Sequence, residues 1–404
     1  MKHVRRARLH EQIRAFALVA PVLAFIVVFF IMPLGDMLNR SVYDPRVSNW
    51  LPNTSEALRT WDRQGLPDEE VYATLARELI DRAEDRMIGR LALVINHEVS
   101  GARTPVMSTG NILRNMDLDE VESYKDTLTD IHRIWGERDI WSGLKTVSQS
   151  FTLRYYLAGL DLEYNVDGDI VPTAEYRQIY VTLLIRTLWA SALIMGIALL
   201  LGYPVAYHLA TSPPRTSNLL MILVLLPFWT ALLVRTAAWI VLLQEQGVIN
   251  SVLVGIGLLD DASRVRMVHN MFGTIVAMTY IMLPFMILPI YAVMRRIPGD
   301  YVRAAQSLGA KPPRAFFTVY LPQTLPGVGA GCILVFILSI GFYITPALVG
   351  GQTGQFISRF VAYHIQTSLN WGLAAALAGI ILLSILALYF VYSRVFGAQN
   401  VRVG

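Results

Sequence analysis

Apolar residues along this chain run in long blocks, and for most of its length they do not alternate with polar ones. Six blocks stand out, at residues 15–34, 179–210, 219–243, 271–294, 328–349 and 371–395. A helix needs about 20 apolar residues to cross a bilayer, so each block predicts a membrane span. None of the five blocks after residue 178 contains Asp or Glu. Residues 35–178 read differently. Within 67–99, Val71, Leu75, Leu79, Met87 and Leu91 recur at helical spacing among charged neighbours, which predicts an amphipathic helix. A second helix is expected over 111–134, around Leu118, Val121, Tyr124 and Leu128.

Composition agrees with the blocks. Of 404 residues, 54% are hydrophobic and 16% are charged. A soluble domain carries about 25% charged residues, so there is too little polar surface here to cover a water-soluble globule. The first block follows Lys2, Arg5, Arg6, Arg8 and Arg14, as a secretory signal would. It is longer than such a signal, and Gly35-Asp36-Met37 offers no small-x-small cleavage site, so it is expected to remain as a span. The single cysteine, Cys332, lies in an apolar block and has no partner for an intrachain disulfide.

Charge separates two solvents and orients the chain. Residues 35–178 hold 25 acidic and 16 basic residues, a net of −9, whereas the remainder of the chain carries +13. Bases gather in the N-terminal tail, at Arg215, across 295–314 (Arg295, Arg296, Arg303, Lys311, Arg314) and at the C-terminus. The opposite loops hold only Arg264, Arg266 and Arg359. The positive-inside rule then places both termini in the cytoplasm and the acidic block outside. Such acidity attracts cationic solutes, but a solvated structural face is its commoner meaning. The block contains no paired metal ligands and no nucleophile motif.

The most informative polar stretch lies between spans four and five. Pro298-Gly299 ends span four, and Asp300 is expected to cap a short helix running to Leu308. Gly309 is expected to make the C-terminal turn, and a second helix starts near Pro313 and breaks at Pro322 and Pro326. Ala304 and Ala305 leave a low face that another protein can approach. This segment resembles the EAA loop of binding-protein-dependent ABC importer permeases: Ala304-Ala305, three residues, Gly309-Ala310, then Val319-x-Leu321-Pro322. In that family the loop docks into a groove of an ATP-hydrolysing subunit. The resemblance therefore implies a coupling role for Asp300, Arg303, Ala304, Ala305, Gly309, Ala310, Leu321 and Pro322. One departure is clear, because Arg303 stands where the motif has an acid.

Span three carries a narrower resemblance. Leu226-Pro227-Phe228-Trp229-Thr230, Leu233-Val234-Arg235-Thr236, Trp239 and Gln246-Gly247-Val248-Ile249-Asn250 look like the first permease subunit of spermidine/putrescine importers. The likeness spans the six blocks and leaves out the acidic insertion. Phe228, Trp229, Trp239, Tyr280 and Tyr343 offer π faces to a cationic amine, although aromatics in spans more often pack or line the interface. Arg235 is costly at membrane depth, and it must face a cavity, a partner subunit or a polar group.

The chain has no Gly-x-x-x-x-Gly-Lys-Ser/Thr loop and therefore no phosphate cradle of that kind. Nor do its five later blocks hold an acid for a proton or sodium relay. The expectation is an all-α integral membrane protein with six transmembrane helices, a MetI-like permease, and a mostly helical periplasmic insertion between helices one and two. Its domains would be a cytoplasmic tail at 1–14, a first span at 15–34 and the insertion at 35–178. A five-helix core follows at 179–395, with its coupling loop at 295–327, and a cytoplasmic tail at 396–404. The resemblance implies no enzyme activity, metal or cofactor on this chain, with ATP and Mg bound by the partner. Implied partners are a second permease subunit, two ATPase subunits, a periplasmic binding protein and membrane lipid, without nucleic acid. Cargo is expected to be a polyamine such as putrescine or spermidine, with an opine or quaternary amine as alternatives. A membrane-anchored ligand sensor or scaffold is the reading from a different class.

Overall fold

A computed structural model describes residues 16–117 and 121–396. The tail expected at 1–14, all but the first residue of the tail expected at 396–404, and Leu118 lie outside the described residues. The chain divides into two compact units, Met1–Gln178 with His364–Gly379, and Ile179–Tyr363 with Ile380–Gly404.

Six helices are long and apolar enough to cross a membrane: Phe16–Asn39, Tyr180–Thr211, Leu232–Gly255, Met271–Met294, Pro312–Gly341 and Trp371–Phe390. Span one runs on to Asn39, past its expected end at residue 34, and the bounds of spans three and five move further. Span three was expected at 219–243, but Pro227 and the extended backbone at Thr230 and Ala231 cut that stretch. A helix Pro214–Leu225 and a 3-10 turn Leu226–Trp229 come first, and the spanning stretch begins at Leu232. Span five was expected at 328–349, with Pro322 and Pro326 as breaks. The helix instead runs through both prolines from Pro312 to Gly341 and stops before Phe342, whose backbone is extended. A π-turn over Phe316–Tyr320 lies just upstream of Pro322. Its widened hydrogen bonding lets Leu321 N–H reach the Phe316 carbonyl, so the helix absorbs a proline that lacks a donor.

The second unit packs spans two, four and five around Ala190, Ile194 and Ala198, Met278, Met282 and Met286, and Val335. Its close approaches depend on glycine. A Cβ at Gly331 would sit 2.9 Å from Met286 Sδ, and one at Gly327 would lie 3.0 Å from the Pro289 carbonyl oxygen. Two polar pairs join helices inside the unit, Thr236 with Thr345 (3.1 Å) and Tyr203 with Thr324 (3.1 Å).

The first unit is built from short helices. The stretch 67–99 forms two, Glu69–Glu84 and Ile88–Glu98, because Arg86 takes a left-handed backbone conformation between them. Likewise, 111–134 is not one helix: Arg103–Leu113 ends there and Tyr124–Ile131 starts afresh. A two-stranded antiparallel hairpin, Leu162–Tyr164 with Ile170–Pro172, was not expected. The unit's own core holds Tyr72, Leu75, Leu79, Leu91, Trp135 and Trp141. The Tyr72 hydroxyl and the Trp141 ring N–H both donate to the Trp135 carbonyl, at 2.7 and 2.9 Å. Burial pushes the Tyr72 hydroxyl up to about 12, so it remains a donor at any ordinary pH.

Acidic residues serve this unit as caps and ion-pair partners. Glu78, nearly buried, accepts from the backbone N–H groups of Asn53 and Thr54 at the start of helix Pro52–Thr60. The carboxylate thus meets the positive end of that helix. Asp44 is held by Arg46 (2.8 Å), Arg154 (2.8 Å) and the Tyr155 hydroxyl (2.5 Å). Burial alone would raise its pKa, but these partners hold it well below the usual carboxylate range.

Candidate functional site

The stretch between spans four and five folds as a helix, Asp300–Ser307, followed by a turn and the start of span five at Pro312. Asp300 does not cap it. Gly299 occupies the cap position with no side-chain hydrogen bond, and Asp300 instead pairs with Arg303 at 2.6 Å. The sequence-based choice of cap fails because an arginine one turn on offers the carboxylate a closer charged donor than the helix N-terminus does.

The turn at the other end forms as expected. Gly309 has φ of +91°, and its N–H donates to Gln306 while that of Ala310 donates to Ala305. This pair of bonds closes the helix in the glycine-dependent manner. No atom lies within 4 Å of a Cβ built on Gly309, so backbone conformation, and not crowding, selects glycine there. Ala304 is exposed, whereas Ala305 and Ala310 are half-buried, on the side where Val302 packs onto the core. Sequence reasoning passed over Leu308, an aliphatic side chain at the tip that is 90% exposed, and Tyr301, which is also exposed. Leu308 looked like the last residue of a helix, and only the turn geometry shows that it points outward.

The loop is anchored by aromatic rings. Phe316 stacks on Tyr320 with ring centres 5.7 Å apart, and both meet Tyr207 of span two edge-on. Tyr203 also meets Phe316 edge-on. Leu321 and Pro322 follow at once as the helix enters its straight portion. These ring contacts join the stretch after the exposed helix to span two at the start of span five.

The aromatic candidates in the spans form pairs. Trp239 meets Tyr280 at 5.4 Å, and Phe228 meets Phe285 at 5.1 Å, a residue that sequence reasoning did not single out. Among the described residues, Trp229 and Tyr343 stack on no other ring, and Trp229 is largely exposed. A cavity of about 420 Å³ lies between spans two and four and the approach to span three, lined by Leu201, Val205, Leu223, Pro227, Tyr280 and Ile287 among others. Tyr280 gives its only side-chain hydroxyl, and no charge lines it. Arg235 donates from Nη2 to the Thr230 carbonyl (2.9 Å), and its Nε is buried with no partner. Among the described residues no group of three His, Cys, Asp or Glu is placed to hold a metal ion.

Comparison with known proteins bears on the core. Residues 177–402 match the family described as "Binding-protein-dependent transport system inner membrane component". The chain is 33% identical over 232 residues to the spermidine/putrescine transport system permease protein PotB of Haemophilus influenzae, covering 56% of this chain and 80% of that one. It is 29% identical over 225 residues to PotB of Escherichia coli, covering 56% and 81%. To the inner membrane ABC transporter permease protein YdcU of Escherichia coli it is 32% identical over 227 residues, covering 54% and 72%. Among solved structures it resembles the bacterial alginate ABC transporter, at 18% identity and a TM-score of 0.43, covering 54% of this chain and 78% of that one. The family match begins at residue 177 and leaves out the acidic block.

Proposed function

The chain belongs to the family of binding-protein-dependent transport system inner membrane components, and from that premise we propose that it passes a polyamine into the cytoplasm. It is an importer permease, related to the PotB polyamine permeases, with six membrane-spanning helices. The finer reading is that two partner ATPase subunits power it, each binding ATP and Mg. A second permease subunit completes the pathway, and a periplasmic binding protein delivers putrescine or spermidine. Charge segregation supports cytoplasmic termini and a periplasmic block at residues 35–178.

One observation carries the coupling role: a short exposed helix closed by Gly309 at positive φ, with Leu308 outermost and aromatic rings at its base. A sensor or scaffold has no use for such a loop. The kinship with PotB supports the polyamine, and the ring pairs Trp239–Tyr280 and Phe228–Phe285 offer π faces to an amine. Arg235, Trp229 and Tyr343 remain proposed members of the pathway. The test is uptake of labelled putrescine and spermidine into cells carrying or lacking this chain, with co-purification of its partners. Loss of uptake on deletion is expected. Unchanged polyamine uptake, alongside a retained ATPase, would overturn the cargo and spare the permease reading.

A further inference from the structure

Where span one ends, the chain does not leave the bilayer's edge at once. The Tyr43 N–H donates to the carbonyl of Asn39, the span's last residue, four positions earlier. Residues 42–44 then pair with residues 150–152, through Asp44 N–H to Ser150 (2.8 Å) and Thr152 N–H to Val42 (2.9 Å). This holds Phe151 opposite Tyr43, with ring centres 5.0 Å apart. Burial alternates along the partner segment. Phe151 is 76% exposed, Thr152 is buried, Leu153 is 59% exposed, and Arg154 is buried against Asp44.

The short helix that follows, Arg154–Gly159, is wedged against two spans of the same unit. The Tyr156 hydroxyl lies 3.0 Å from Ser41 Oγ and would be 2.9 Å from a Cβ on Gly379 of span six. The Tyr155 ring occupies the space over Gly372, where a Cβ would be 2.2 Å from it. Arg40 lies over the ring of Trp371, the first residue of span six, at 6.0 Å. Trp and Arg at the end of a span mark the membrane–water interface.

We propose that this edge of the acidic unit, carrying Tyr43, Phe151 and Leu153, rests on the phospholipid bilayer, with Phe151 and Leu153 reaching into the outer leaflet. Large apolar side chains held in water cost about 25 cal/mol per Å² of apolar surface. Continuity with the ends of spans one and six supplies the occupant, because these side chains sit at the level where both helices enter lipid. The assignment to the outer leaflet rests on the reading that residues 35–178 lie outside the cell; the contact with lipid does not.

The test uses the full chain with Cys332→Ala, which removes the sole native thiol. Spin labels are placed singly through Phe151→Cys, Leu153→Cys and, as a water-facing control, Glu56→Cys, in nanodiscs of phosphatidylethanolamine and phosphatidylglycerol. Paramagnetic relaxation by oxygen is compared with that by a water-soluble nickel chelate. Labels at 151 and 153 should favour oxygen over nickel severalfold more than the label at 56 does. Nickel access equal to that at 56 would overturn the proposal, as would shielding from both reagents, which indicates a protein cover. An impermeant maleimide should modify Glu56→Cys in sealed spheroplasts. Protection there would overturn the outer leaflet while leaving the lipid contact to the relaxation data.

Discussion

The two units of this molecule are both helical, and they are held together by opposite means. In the second unit, spans two, four and five are long, free of acids and packed through alanine, methionine and glycine. Its prolines at positions 204, 284, 289 and 326 sit inside helices without ending them. In the first unit most helices are short, and they end at a left-handed residue such as Arg86 or begin on a carboxylate such as Glu78. The difference follows from the solvent. In lipid a backbone break exposes groups that nothing can satisfy, so helices persist through residues that would stop them in water. In water a break is cheap, and charge is free to do the capping and pairing.

The largest effect is expected from a turn in the second unit that ends its helix at a left-handed residue, as helices of the first unit do. Gly309→Asp forces a side chain onto a backbone with φ of +91°, at a cost of about 1–2 kcal/mol, and adds charge to the exposed turn. Because each 1.4 kcal/mol or so is a tenfold change in affinity, folding should tolerate the change while docking fails. The variant should reach the membrane in normal amount, lose its ATPase on purification and abolish uptake. Normal retention and transport would show that the turn is not the coupling element.

Asp44→Ala probes the first unit's dependence on charge. It leaves Arg154 buried without its carboxylate partner, a situation that costs about 3–5 kcal/mol. The apparent melting midpoint, followed by the fluorescence of buried Trp135 and Trp141, should fall sharply. A second-unit substitution of a neutral packing residue should leave that signal in place. An unchanged midpoint would mean the ion-pair network is dispensable.

Acid should discriminate the units as well. His364 is hydrogen-bonded to Ser368 (2.8 Å), and burial together with the nearby His97 pushes its pKa down to about 4. His97 is itself lowered, chiefly by burial and then by Arg46. A base that titrates later in the folded state leaves stability intact above the unfolded value near 6.5 and erodes it as pH falls toward 4, by no more than about 3 kcal/mol. Glu98 has the opposite sign, because burial raises its carboxyl and so favours the folded state toward acid. The difference between wild type and His364→Gln isolates the histidine: the variant should lose less stability between pH 6.5 and 4. Parallel curves would remove it from the account.

Arg303→Glu should matter least for stability, since the pair with Asp300 is solvent-exposed and worth below about 1 kcal/mol. Its value is sharper in docking. The substitution restores the acid usual at this position of the motif, and an unchanged melting midpoint with altered ATPase retention would place Arg303 on the docking face. An unchanged retention would confine it to a local pair.

Much of this was legible from the residues. The blocks at 179–210 and 271–294 match spans two and four closely, because nothing interrupts their apolar runs. Gly309 was legible because glycine is the residue least strained in a left-handed turn. The boundaries of spans three and five were not, since Pro227 ends a helix while Pro322 and Pro326 do not. A proline's effect depends on whether the preceding turn can widen, and the π-turn at Phe316–Tyr320 is seen only in three dimensions. Asp300 failed as a cap for a similar reason: two acceptable partners competed, and side-chain geometry chose Arg303.

By itself the sequence determined the number of spans and the separation of an acidic block from an apolar, basic remainder, because bilayer thickness and ion solvation act on composition and length alone. Tertiary structure decided what those segments touch: Phe228 against Phe285, Asp44 between two arginines, Tyr155 over Gly372, and Leu308 thrust outward while Val302 packs half-buried onto the core. Such contacts join residues far apart in the chain, and their energies arise from fitting shapes and unmet hydrogen bonds that no single segment contains.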